Sequence, residues 1–187
     1  MAPLSYDSMY PRQGDWTTDD LYALPEDGVR RELVDGVMIR MAGCGRVHQK
    51  IAMRLGTALD DCCPPDLDVV QAVDVKNSRC PDLLVVSANT IDGNPSHYKY
   101  SDVVLAVEIV SPSTQSQDRF AKPIQYAQAG ISYYWRIDLE PRIVVNTFTR
   151  DDTLGGYVLD YEFTSRINLE KPWAIKIPFN QFVPRAR

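Results

Sequence analysis

Glu108 is the residue whose position most demands a chemical reason. It stands inside the run VVLAVEIV, Val103 to Val110, where apolar neighbours on both sides leave a carboxylate without water. Burying a carboxylate there costs several kcal/mol unless a cation or hydrogen-bonding partner compensates it. A structural ion pair is one compensation, and a divalent metal ion is the other. Asp82 supplies the second half of a metal site. It lies between Pro81 and the apolar run Leu83 to Val86, at the edge of a strand. Alone, an Asp at a strand entrance is more often a turn or cap residue whose side chain bonds nearby amides. If the strands carrying Asp82 and Glu108 are neighbours, their oxygens join water and substrate oxygens in the hard octahedral shell that suits magnesium, with manganese as its substitute.

Three further residues belong to this reading. Lys122 begins the element after Glu108 and is either an exposed helix lysine or a cation that orients water and offsets charge growing on a phosphate. Glu32, in RRELVDG, is either a solvent-facing residue of an alternating strand or a third acid at the site. His48 opens an amphipathic helix, as a satisfied N-terminal histidine or as an accessory to the site. No Ser-His-Asp spacing, no G-x-x-x-x-G-K-[ST] and no G-x-G-x-x-G occurs, so acyl-transfer and nucleotide-fold readings lack support. Cys44, His48, Cys62 and Cys63 together would number four zinc ligands, but there is no C-x-x-C knuckle and adjacent cysteines strain a tetrahedral shell. For the same reason Cys62 and Cys63 do not close on each other, Cys44 and Cys80 sit alone, and a disulfide framework is not expected.

The elements that must position these residues are readable from periodicity. Thr17 to Leu24 carries an N-cap signature and predicts a short helix ended by Pro25. Val29 to Asp35 and Val37 to Met41 flank Asp35-Gly36, which predicts a β-hairpin. Val47, Ile51, Leu55, Ala58 and Leu59 recur at helical spacing and predict an amphipathic helix over Arg46 to Asp61. Leu67 to Val75 alternates as one strand, while Leu83 to Val86 and Val103 to Val110 read as central strands covered on both faces. A loop with Ser111, Pro112, Ser113 and Thr114 leads to a helix over Phe120 to Ala129, stopped by Gly130. Strands follow at Tyr133 to Ile137, Ile143 to Phe148 and Tyr157 to Phe163. Tyr133, Tyr134 and Trp135 could stack on bases, though such a run reads first as core. The fold class is α/β, in the α+β sense: a mixed, curved sheet flanked by helices, with an N-terminal β-hairpin and one parallel crossover after Val110.

Length and charge bound the rest. No linker divides the 187 residues, so residues 1–15 are expected to be a tail and 16–187 one domain. No basic segment precedes an apolar run, and no apolar run is long enough to span a bilayer, so the expectation is a cytoplasmic protein with no membrane partner. The net charge of −5 excludes a protein that coats DNA by electrostatics alone. A carboxylate-lined metal site tolerates that balance, because the ion restores positive charge where a phosphate would sit.

In order, RRELVDG, a His-led helix, CPDLLVV, VVLAVEIVSPST and DRFAKPIQYAQAGISYYWRID resemble the Uma-two family of restriction-endonuclease-like proteins. The resemblance runs from about Trp16 to about Ile177 and is most specific from Leu105 to Asp138. It implies a PD-(D/E)XK nuclease in which Asp82 matches the PD aspartate, Glu108 the second acid and Lys122 the lysine, moved from the strand to the following helix. Val110 stands where the usual E-x-K motif has its lysine. The resemblance further implies roles for Glu32 and His48, and a backbone carbonyl ligand at Ile109. Magnesium-dependent cutting of DNA, leaving 5′-phosphate and 3′-hydroxyl ends, is the activity it implies. A homodimer would supply the two sites that cutting both strands requires. A rival reading is a catalytically silent module on the same fold that binds nucleic acid or a protein partner. One departure bears on Lys122: Pro123 follows it, which disfavours helical angles and predicts that the lysine sits at the helix cap.

Overall fold

The computed structural model describes residues 16–25, 27–29, 31–34, 36–41, 43–75, 79–93, 97–111 and 115–185. The expected tail, residues 1–15, lies outside them, as do Asp35 of the hairpin turn and Pro112, Ser113 and Thr114 of the loop. Helix α1 (Thr18–Tyr22) opens with a capping box: Asp20 N–H donates to Thr17 Oγ1 at 3.2 Å and Thr17 N–H donates to Asp20 Oδ2 at 2.8 Å. Strands β1 (Arg31–Val34) and β2 (Val37–Arg40) form the expected antiparallel hairpin. Its turn passes through Gly36 at φ 77°, a left-handed angle that favours glycine.

Helix α2 (Arg46–Asp60) buries Ile51, Ala52, Leu55, Ala58 and Leu59 along one stripe, with His48 at its start. Gly56 is also on this helix, and a Cβ there would come within 3.2 Å of Leu83 Cδ2, so the missing side chain lets helix and sheet approach closely. The expected single strand over Leu67 to Val75 is broken. Strand β3 (Leu67–Gln71) ends where Ala72 takes φ 53°, and β4 (Asp74–Val75) leaves for a different partner. The alternation of Val69, Gln71, Val73 and Val75 is local, whereas the end of β3 is set by its neighbour β5 (Leu83–Ser87), which begins opposite Gln71. Strand β6 (His97–Tyr98) pairs parallel with β4.

Strand β7 (Val103–Val110) leads through a π-helical turn, Gln117–Ala121, into α3 (Lys122–Gln128) and then β8 (Tyr133–Asp138). Strands β9 (Val144–Asp151) and β10 (Gly156–Phe163) follow. The chain closes with β11 (Arg166–Leu169), β12 (Ile175–Pro178) and α4 (Phe179–Phe182). Six strands form one sheet in the order β10-β9-β8-β7-β5-β3. Neighbours in it are antiparallel except β7 and β8, the parallel pair joined by the crossover.

The period of two along the strands sorts the core into two layers. Leu83, Val85, Leu105, Val107, Ile109, Trp135 and Ile137 face α2, and β11, β12 and α4 complete that layer. Leu84, Val86, Ala106 and Tyr134 face α3, where Tyr126 and Ile131 meet them. Glu108 has the parity of Ala106 and is buried with the α3 layer. Tyr134 and Trp135 are both core, consistent with the packing reading of that aromatic run. Among the described residues no helix is long and apolar enough to cross a membrane.

Candidate active site and metal centre

Pairing between β5 and β7 decides where the two expected acids meet. Leu83 lies across from Val107, so one step further along the antiparallel register Asp82 lies across from Glu108. Both are buried, Asp82 at 7% exposure and Glu108 at 1%. Asp82 Oδ2 accepts the backbone N–H of Ile109 at 2.8 Å and sits 3.1 Å from His48 Nε2. The His48 ring therefore reaches the site from the first turn of α2. Burial pulls its pKa down, but bonding and charge from Asp82, then from Cys44, raise it to about 10, so the imidazole is a cation facing a carboxylate.

Lys122 sits at the centre of the acids. Its Nζ is 2.9 Å from Glu108 Oε2, 3.1 Å from Asp118 Oδ1 and 3.4 Å from Glu32 Oε1. Burial opposes its charge, but Glu108, then Glu32 and Asp118, hold the ammonium firmly protonated. The expected displacement of Lys122 to a helix cap is not what forms. Its φ of −62° and ψ of −48° are helical, and its N–H bonds Gln117 O across the π turn. The wide turn provides the room that the Pro123 ring takes from an ordinary α-helical turn.

Glu32, one of the two options left open for β1, is a buried member of the cluster rather than a solvent-facing residue. Arg79 Nη1 donates to its Oε2 at 2.9 Å, and the Cys80 N–H donates to its Oε1 at 3.3 Å. Arg79 is anchored in turn, donating from Nε to Gln125 Oε1 at 2.7 Å. Glu108 Oε1 accepts the Tyr126 hydroxyl at 2.8 Å. Tyr134 closes the cluster from below, its hydroxyl donating to the Asp118 carbonyl at 2.5 Å.

Among the described residues, four buried carboxyls, Glu32, Asp82, Glu108 and Asp118, thus share three cationic partners, Arg79, Lys122 and His48. Glu108 shows what this setting costs a carboxylate. Burial raises its carboxyl to about 8, Lys122 lowers it only in part, and Asp118, Asp82 and Glu32 raise it further. An under-neutralised set of hard oxygen donors is the environment a magnesium ion completes, so the residues present fit one. Ile109 enters through its amide, which fixes Asp82, while its side chain faces the α2 core.

Motif and spacing do not pick out Arg79, Asp118 or Tyr126, and they reach Cys44 only as part of a four-ligand zinc set. Asp118, Lys122 and Tyr126 recur every four residues and so share one helical face, a signal present in the sequence. Arg79 carries no such signal, since only the tertiary fold brings it to Glu32. The four-ligand zinc set does not assemble. Cys62 and Cys63 follow the far end of α2, and a helix of that length separates them from His48 by about 20 Å. Cys44 instead joins His48 and Asp82.

An uncharacterized protein of Synechocystis sp., slr1290, is 27% identical, the match covering 75% of this chain and 77% of that protein. The fold is shared with a crystal structure described as a "putative nuclease belonging to DUF820" from Anabaena variabilis, at TM-score 0.70 and 16% identity, over 88% of this chain and 95% of that one. A family model described as "Putative restriction endonuclease" matches residues 18–171, and the chain belongs to that family, Uma2.

Proposed function

We propose that this chain is a magnesium-dependent endonuclease that hydrolyses DNA phosphodiester bonds in the cytoplasm, with residues 16–187 acting as one domain. The observation that carries the reading is the placing of Asp82, just ahead of β5 and bonded to the Ile109 amide, beside Glu108 of β7, inside a buried cluster that among the described residues holds more acids than cations. Asp82, Glu108 and the Ile109 carbonyl would hold the ion. When bound, magnesium supplies Lewis-acid charge at the phosphate and favours ionisation of water, and manganese supplies the same. Asp82 is aimed by the Ile109 amide and His48, so its oxygens are preorganised. Lys122 is the cation aimed at the reacting phosphate, held in place by Glu108, Asp118 and Glu32. Glu32 orients it and is itself fixed by Arg79.

The net charge of −5 makes local cations important for a polyanionic substrate. Arg136 stands beside Glu108 in the β7/β8 register, and Arg119 joins it on Asp138. Both guanidiniums are partly exposed, so they can reach strand phosphates flanking the site. A homodimer would present two such sites to a duplex, and cleavage is expected to leave 5′-phosphate and 3′-hydroxyl ends.

The test is digestion of plasmid and oligonucleotide DNA, with RNA in parallel, in magnesium or manganese. Wild type should cut, while Asp82→Ala and Glu108→Ala should each fall by at least about 10²-fold, the scale of losing one electrostatic contributor to a transition state. Equal cleavage by all three proteins removes the reading. A silent binding module is the second reading, favoured by one observation: both Glu108 oxygens already have partners and the carboxyl is 1% exposed. Calorimetric titration with magnesium separates the two, since a module without turnover has no need of an ion at these carboxylates.

A further inference from the structure

We propose that Cys44, His48 and Asp82 form a binding site for a zinc-class transition-metal ion, with three protein ligands and one coordination position left open. The site is distinct in chemistry from the all-oxygen magnesium set, though Asp82 is common to both, and the inference does not depend on nuclease activity.

The geometry comes first. A Cys44 sulfur, a His48 ring nitrogen and an Asp82 carboxylate oxygen all lie within 4.8 Å of one another. His48 Nε2 and Asp82 Oδ2 are already 3.1 Å apart. In a tetrahedral shell, zinc lies about 2.0 Å from nitrogen or oxygen and about 2.3 Å from sulfur, so neighbouring ligands stand roughly 3.3–3.8 Å apart. Only small side-chain rotations separate the present arrangement from that shell.

Local structure explains why these atoms converge. Gly45 is the N-cap of α2, so Cys44 immediately precedes the helix and His48 lies four residues on, in its first turn. The chain enters the helix through the extended Gly45, and this entry brings the Cys44 side chain to the His48 ring at the edge of β5, where Asp82 waits. The Ile109 amide donates to Asp82 and fixes the carboxylate, the kind of outer-shell support that metal-binding carboxylates use. His48 and Asp82 are buried, and Cys44 is half-buried, which leaves the ion a path from solvent.

Ligand chemistry selects the ion. Magnesium prefers oxygen alone, whereas thiolate with imidazole and carboxylate suits zinc and its neighbours. Three protein ligands leave a fourth position for water or an exchangeable ligand, which distinguishes this site from a closed four-ligand structural one. Binding displaces the protons of the Cys44 thiol and the His48 imidazolium, and those protons pass to solvent.

Cobalt(II) is the probe, titrated into the purified full chain under reducing conditions. Wild type should take up one equivalent with a thiolate-to-cobalt charge-transfer absorption, and zinc should displace it. Cys44→Ser should lose that absorption, while Glu108→Gln, which touches only the oxygen set, should keep it. No charge-transfer band in wild type, or an unchanged band in Cys44→Ser, overturns the proposal. X-ray absorption at the zinc edge of the wild-type complex gives an answer that needs no variant: a sulfur in the first shell supports the site, and a shell of oxygen and nitrogen alone ends it. A cobalt band in a protein that cuts nothing would count against the nuclease reading only, and magnesium-dependent cutting without the band would count against this site only.

Discussion

The two faces of the six-stranded sheet are made by the same strands and are buried by different means. Against α2 lie Leu83, Val85, Leu105, Val107, Ile109, Trp135 and Ile137, hydrocarbon on hydrocarbon with Ile51, Leu55 and Leu59. On the α3 side, one strand position away, Glu108 meets Lys122, Asp118 and Tyr126 beside Leu84, Ala106 and Tyr134. Dispersion and water exclusion stabilise the first face with no demand on pairing. The second carries desolvated charges whose mutual attraction roughly offsets the cost of burying them, so it adds little net stability. What it gains is a set of carboxylates fixed by hydrogen bonds in a dry setting, which is what electrostatic work on a phosphate requires.

Removing one charge from the second face should therefore hurt more than its share, and in a way that a second change repairs. Lys122→Met leaves Glu108, Glu32 and Asp118 facing one another without their common cation, at a cost of about 3–5 kcal/mol. Adding Glu108→Gln to it should recover a large part. On the α2 face Leu55→Ala should cost about 2–5 kcal/mol by leaving a cavity, and no polar change nearby should restore it. Urea unfolding followed by circular dichroism of wild type, the two single charge variants, their double and Leu55→Ala reads these differences. Full additivity between Lys122→Met and Glu108→Gln would mean that the two faces are stabilised alike.

The faces should also differ in their response to pH. The folded Glu108 carboxyl sits above its unfolded value, about 8 against 4.5. The stability this group contributes is therefore complete below pH 4.5 and is lost as pH rises through about 8. Glu108→Gln stays neutral across that range, so relative to wild type its melting temperature should improve as pH climbs. Magnesium should oppose the wild-type loss, because an ion bound by the carboxylate stabilises the folded form most where the carboxyl is ionised. If the melting profiles of wild type and Glu108→Gln run parallel, the acid cluster is already balanced and has no need of a cation.

The α2 face was the legible one. Apolar periodicity in Ile51 to Leu59 and in Val103 to Val110 reports burial directly, although Val47 at the start of the same expected stripe is exposed, and both elements form at nearly the expected bounds. Glu108 was legible for the opposite reason, as a charge inside an apolar run. The missed hairpin of β11 and β12 carried a weaker signal of the same kind, Ile167 with Leu169 and Ile175 with Ile177, buried on alternate positions. The partners on the α3 face depend on tertiary approach. Arg79 is 47 residues from Glu32 in sequence, and no local pattern encodes the ion pair between them. Lys122 fell between the two cases. A residue before proline ordinarily avoids helical angles, and a π turn that sequence spacing does not announce overrides that preference at Lys122.

The smallest effect expected tests where the charged face ends. Arg136 neighbours Glu108 across the parallel β7/β8 pair, yet its Nε donates to Asp138 Oδ2 at 3.0 Å and its guanidinium lies 5.6 Å from the Phe148 ring centre. Those contacts suffice to explain a structural arginine, and its partial exposure also suits a phosphate contact. The two roles differ in salt dependence. An arginine that neutralises one strand phosphate contributes about one unit to the slope of log affinity against log salt, and its loss weakens binding uniformly across sequences. Arg136→Ala should therefore bind oligonucleotide DNA a few-fold more weakly in calcium, with the salt slope reduced by about one. An unchanged slope would confine Arg136 to the Asp138 network and end the acidic site's reach at Glu108.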